Sequence, residues 1–262
     1  MLPSYDLDKI KFATDAPTFE RAVKLYENGR VTEFKAEFGG FSAIVIGTKS
    51  YEVYVSARHY DEGSCTCYLG QNETLCKHMV AVAICAVTGG KPLNNDDKKI
   101  YDQPICSGKL KELDKKELAA IKKSITAAMR YIKSYEGPSR IWFAYQNSLS
   151  EGCNRLSKII SGLPVNLQTA ELLVDVLLRL DDRVCRGGVD DSDGTVGGFM
   201  EQTVNVLLDF VKIDKNCAKA FVKLKGVETS FGWEEPLVKL AKKWRRGEGS
   251  SEGEGGRFSN EQ

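Results

Sequence analysis

From Thr18 to Asn28 apolar residues recur with a helical period: Phe19, Ala22, Val23 and Tyr26 share one face, and Gly29 supplies a stop. The period then changes to two. Phe34, Ala36 and Phe38 alternate with charged residues, Phe41–Ile46 is apolar, and Tyr51, Val53 and Val55 alternate again. Gly39-Gly40 and residues 47–50 punctuate these runs, so three antiparallel strands are predicted. After His78 the run MVAVAICAV is apolar on every side, which predicts a buried helix ended by Gly89-Gly90. Residues 1–92 therefore read as one α+β unit.

A polar, proline-interrupted linker spans 93–107, after which the pattern is helical throughout. Asp114 and Glu117 have capping-box spacing ahead of Leu118, Ile121, Ile125, Met129 and Ile132. Further helices are expected near 140–161, 166–180, 198–211, 214–225 and 235–245, making 108–246 a helical domain, either a bundle or a short stack of helix pairs. The tail 247–262, rich in Gly, Glu and Ser, lacks the apolar residues to order itself and is expected to be disordered.

Composition removes several classes of function. Thirty-seven Lys and Arg balance 36 Asp and Glu, so any attraction to nucleic acid must come from a local patch. The longest apolar run, Met79–Val87, is far short of the ~20 residues that cross a bilayer, and the first residues lack the order of an export signal. A cytoplasmic location is expected, with reduced thiols and no disulfide framework, and no membrane partner.

Against that background four metal-ligating side chains fall within fourteen residues: Cys65, Cys67, Cys76 and His78, spaced C-x-C-x8-C-x-H. Three thiolates and one imidazole complete a tetrahedral shell for Zn²⁺, and a closed shell has no position at which to activate water. Cys65 and Cys67, two apart on an extended segment, point to one side. The alternatives are that the three cysteines are merely small buried apolar residues, or that His59, six residues before Cys65, is the fourth ligand. Such a shell carries a formal charge near −1, which Arg58 and Lys77 could offset; equally, these cations could be free for a partner. Cys85, Cys106, Cys153, Cys185 and Cys217 stand singly.

The cysteine and histidine spacing, preceded by YEVYVSA and with Lys77 inside the C-K-H triplet, resembles the SWIM-type zinc finger. The upstream FERAVKLYENGRVTEF and GTKSYEVYV are similar to the leader of bacterial members, extending the resemblance over about 18–88. GPSRIWFAYQNSL and GGVDDSDGTVGG resemble the helical extension of bacterial SWIM-finger proteins. The resemblance implies zinc held by Cys65, Cys67, Cys76 and His78 in a module that contacts DNA or other proteins, with no enzymatic activity.

Other constellations are weaker. In VDDSDG an EF-hand register would put Asp191, Asp193 and Gly194 at loop positions 3, 5 and 6, but positions 1 and 12 become Val189 and Met200, so a polar joint between helices is the simpler reading. The glycines at 187–188 and 197–198 match no phosphate-binding loop. Between 93 and 140 eleven Lys or Arg face seven Asp or Glu. There Lys109, Lys111, Lys115, Lys116, Lys122 and Lys123 could track phosphates or could form a solvated helix face.

The expected fold is thus an α+β zinc-finger module, a small antiparallel sheet plus helices, followed by an all-α helical domain. The expected role is a non-enzymatic nucleic-acid (DNA) binding module that presents its sheet face with Arg58 and Lys77. RNA is an alternative nucleic-acid partner, a protein-protein adaptor is the alternative role, and a metal-dependent enzyme using Asp190, Asp191 and Asp193 stands third. No small-molecule substrate is indicated.

Overall fold

A computed structural model describes residues 2–138 and 142–245. They fall into two compact units, Met1–Asp102 with Ile141–Arg155, and Gln103–Arg140 with Leu156–Gln262. The tail expected to be disordered lies outside the described residues.

The first unit opens with α1 (Leu7–Ala13), whose N-cap Asp6 accepts from the Lys9 N–H, and α2 (Ala16–Glu27), capped by Asp15. At seven residues α1 is too short to display a period, and the pattern reading passes over it. Four antiparallel strands follow in the order β1 (Val31–Glu37), β2 (Gly40–Ile46), β3 (Ser50–Ser56) and β4 (Gly63–Cys65). The first three are those the alternation predicts. The fourth is a short polar strand without alternation, and only its pairing with β3, Val53 opposite Cys65 and Val55 opposite Gly63, makes it one.

Inward residues of the sheet, Phe41, Val45, Val53 and Val55 among them, pack with Ile10, Phe19, Ala22, Val80, Ala81 and Ile84 in one core. A one-turn helix α3 (Tyr68–Gln71) leads to α4 (Lys77–Thr88), in which every residue from His78 to Ile84 is buried. That is the buried helix read from MVAVAICAV, and Gly89 ends it in the left-handed conformation that a side chain disfavours. A short α5 (Asn95–Lys98) closes on its own capping box, Asn94 with Asp97.

Helix α7 (Trp142–Gly162) begins in this unit. The pattern assigns this stretch to the helical part, whereas the fold groups its residues up to Arg155 with the first unit, where one of them is a charge buried against α1. The Glu151 side chain is fully buried and holds Lys9 at 2.5 Å and Arg155 at 2.9 Å. A buried carboxylate needs such partners, because an unpaired charge away from water costs several kcal/mol.

The second unit is helical, as expected: α6 (Lys115–Met129), the end of α7, α8 (Leu167–Cys185), α9 (Thr195–Ile213) and α10 (Glu235–Arg245). Asp114 and Glu117 form the predicted capping box on α6, and Asn166 with Thr169 forms another on α8. The segment Lys215–Leu224, expected to be α-helical, is a 3₁₀ helix. Its buried Ala218, Phe221 and Leu224 recur every third residue, the period at which 3₁₀ side chains align. Among the described residues no helix is long and apolar enough to cross a membrane.

The close packing of β4 against β3 yields a paired test. A Cβ at Gly63 would overlap the Tyr54 carbonyl, whereas one at Gly162 meets open space. Gly63→Ala should cost about 1–3 kcal/mol in urea unfolding, while Gly162→Ala should be neutral or mildly stabilising.

Candidate metal centre

The ladder between β3 and β4 fixes Cys65 opposite Val53 at the end of the sheet edge. Two residues on, Cys67 is the N-cap of α3, its sulfur accepting the Gly70 N–H at 3.4 Å. Cys76 is the N-cap of α4, and His78 lies within that helix's first turn. A strand end and two helix starts thus converge, and the ligating atoms of all four residues lie within 4.8 Å of one another, every residue buried.

The donor set fits Zn²⁺. His78 Nδ1 stands 3.7 Å from Cys65 Sγ and 3.8 Å from Cys76 Sγ. A tetrahedron with Zn–S bonds near 2.3 Å and a Zn–N bond near 2.0–2.1 Å has edges of about 3.5–3.8 Å. Ligation through Nδ1 leaves the ring proton on Nε2, which is buried without a hydrogen-bond partner. The ring is held instead by stacking on Tyr51, centroids 4.3 Å apart, and the Lys49 ammonium lies 6.0 Å from the centroid of that tyrosine.

Electrostatics point the same way. The Cys76 thiol is lowered to about 4, first because Cys65 donates a hydrogen bond to it, against the cost of burial, and then because His78 and the Met79 N–H assist. The Cys65 thiol is pushed far upward by that same bond and by burial. Thiols that bind a divalent cation give up their protons, and the downward shift of Cys76 is in that direction. The resulting shell, formally near −1, sits against the positive start of α4 and two backbone N–H donors, Cys67 at 3.5 Å from Cys65 Sγ and Gly70.

With this geometry in view, the segment 51–86 matches the family model of the SWIM zinc finger. Residues 51–86 are a SWIM zinc finger. No curated protein and no solved structure matches the chain.

Both histidines lie within this segment, and the ligand group takes His78 and not His59. His59 is exposed beyond the end of β3, its N–H bonded to Ser56 Oγ, and it takes no part in the ligand group. The reading of the three cysteines as mere apolar fillers also gives way, since their sulfurs converge on one imidazole. Of the cations expected beside the ion, Lys77 is half-buried at the start of α4, between two ligands. Arg58 is exposed past the other end of β3, five residues beyond Val53, so it does not neutralise the finger. Lys109, Lys115, Lys116, Lys122 and Lys123 are exposed residues of the helical unit, and Lys111 there pairs with Glu117 at 2.6 Å.

Two supporting residues escape a ligand count. Gly70 is required because a Cβ would overlap the Cys65 carbonyl and Cβ. Its signal was a glycine three residues after the second cysteine. Tyr51, the first inward residue of β3 by alternation with Val53, supplies the surface on which the ligating ring rests.

The acidic run at 190–193 serves the backbone. Asp191 accepts from the Val196 and Gly197 N–H groups at 2.7 and 2.8 Å, Asp193 from Thr195 and Asp190 from Ser192. These carboxylates start α9, the polar joint the sequence suggested. Burial raises the Asp191 carboxyl even so.

Native mass spectrometry should find one zinc ion on the wild type and none on Cys67→Ser or Cys76→Ser, while Cys85→Ser and Cys153→Ser retain it. Zinc contributes free energy comparable to a whole domain's stability, so a chelator should open residues 60–80 to protease. Tyr51→Leu, which leaves all four ligands, should weaken zinc affinity roughly tenfold.

Proposed function

We propose that the finger is a non-enzymatic, protein-binding module whose zinc is structural. A shell filled by four protein ligands leaves the ion no position for substrate or water, so its contribution is shape. The observation that carries the choice of partner is charge. Between β1 and His78, Glu33, Glu37, Glu52, Asp61, Glu62 and Glu73 outnumber Lys35, Lys49, Arg58 and Lys77, and the zinc shell adds a further negative charge. Phosphate backbones are attracted by clustered Lys and Arg, and this surface lacks such an excess. It displays Tyr68, 81 % exposed, and Leu69, 43 % exposed, on the helix between the ligand pairs. Aromatic residues of this kind are enriched where proteins meet.

Nucleic-acid contact is the second reading, and one observation favours it. Lys115, Lys116, Lys122 and Lys123 are exposed on α6 and make no ion pair among the described residues. That surface belongs to the helical unit, whose basic helix would act independently of zinc. On the protein-binding reading the sheet face, where glutamates outnumber lysine, takes a protein in place of the nucleic acid expected there.

The two readings separate in one experiment. Crosslinking of the zinc-loaded chain in its native extract should trap protein partners, and Tyr68→Ser should abolish that trapping while zinc is retained. Electrophoretic shift of duplex DNA and single-stranded RNA at two salt concentrations should show no zinc-dependent complex. A shift that disappears in Lys116→Glu/Lys123→Glu, with a log-log salt slope of about 0.9 per phosphate contact, would establish the second reading instead.

A further inference from the structure

We infer that the uncovered outer face of the sheet is a docking groove for an extended, Lys- and Arg-bearing segment of a partner protein. This rests on the protein-binding reading and assigns it a surface and a partner chemistry.

The apolar face of the sheet is covered by α4, against which α2 packs in the same core. On the outer face lies a groove of about 540 Å³ that runs from β1 across to the residues behind the second zinc ligand. Its shape follows from register. Lys35, Ser42, Tyr54 and Ser64 form one cross-strand row, in which two serines flank a tyrosine and leave a trough. Gly70 and Gln71, on the turn held by Cys67, form part of its wall, so the groove's outline depends on the metal.

The charges that line it are Glu33, Glu37 and Glu52 against Lys35. Glu37 accepts from the Ser42 hydroxyl, whereas Glu33 and Glu52 make no side-chain ion pair among the described residues. These carboxylates are spread along the groove and do not gather as a metal site; among the described residues the only such group is the zinc ligand set. A distributed row of negative charge over a polar trough suits a ligand whose positive charges are also distributed. An extended peptide fits, because its alternate side chains point to one side at a repeat of about 6.6–6.8 Å. A phosphate backbone would be repelled, so electrostatics select the partner's sign.

The probe is a fluorescein-labelled peptide of alternating Lys and Thr, with an alternating Glu and Thr peptide as its counterpart, added to the zinc-loaded full chain and followed by anisotropy. The Lys peptide should bind, more weakly as salt rises, and the Glu peptide should not. Glu33→Gln/Glu52→Gln should weaken binding about tenfold with zinc content unchanged. Asp61→Asn/Glu62→Gln removes the same charge outside the groove and should leave binding intact. Equal weakening by both variants, equal binding of the Glu peptide, displacement by spermidine at the peptide's own affinity, or no binding of the Lys peptide would overturn the groove. Binding lost only in Tyr68→Ser would also overturn it, yet leave the protein-binding reading standing. Zinc-dependent binding of duplex DNA that competes with the peptide would overturn both.

Discussion

Three sulfurs and an imidazole nitrogen buried within 4.8 Å of one another form an arrangement that side chains alone satisfy poorly. Their proximity pushes the Cys65 thiol upward and the Cys76 thiol downward. With Zn²⁺ the same atoms become a closed shell, and the backbone that carries them becomes fixed. That backbone comprises the last residue of β4, the turn through Gly70 and the first turn of α4. In a small unit whose fourth strand is three residues long, this cross-link does the work that a longer strand pair would otherwise do.

The surroundings of the four ligands suit the negatively charged shell they would form around Zn²⁺. The start of α4 supplies positive potential, the Cys67 and Gly70 N–H groups meet sulfur, and Tyr51 holds the imidazole from its face. Arg58 contributes nothing of this kind, being at the far end of β3. The centre is thus balanced mostly by fixed backbone dipoles. The outer face of the sheet carries glutamates of β1 and β3.

The helical unit divides its charges differently. Acidic residues at 190–193 are consumed in starting α9, and Lys111 is engaged by Glu117, which itself completes the cap of α6. The lysines of α6 itself stay in solvent. One chain therefore carries an acidic sheet face and a basic helix, an opposition of charge that the net +1 conceals.

Much of this was written in the sequence, because the signals were local. The ligand spacing named the metal centre, the period-two alternation named three strands, Asp114 and Glu117 named the start of α6, and an all-apolar run named α4. Each rests on a periodicity or a contact within a few residues, which needs no knowledge of the remaining chain. Other features depend on residues distant in sequence and became visible only in three dimensions. Strand β4 exists by pairing with β3, and Glu151 is buried against Lys9, 142 residues away. The sign of the sheet's outer face also belongs to this class: alternation tells which residues share a side, but only the register across four strands brings Glu33, Glu37 and Glu52 around one groove.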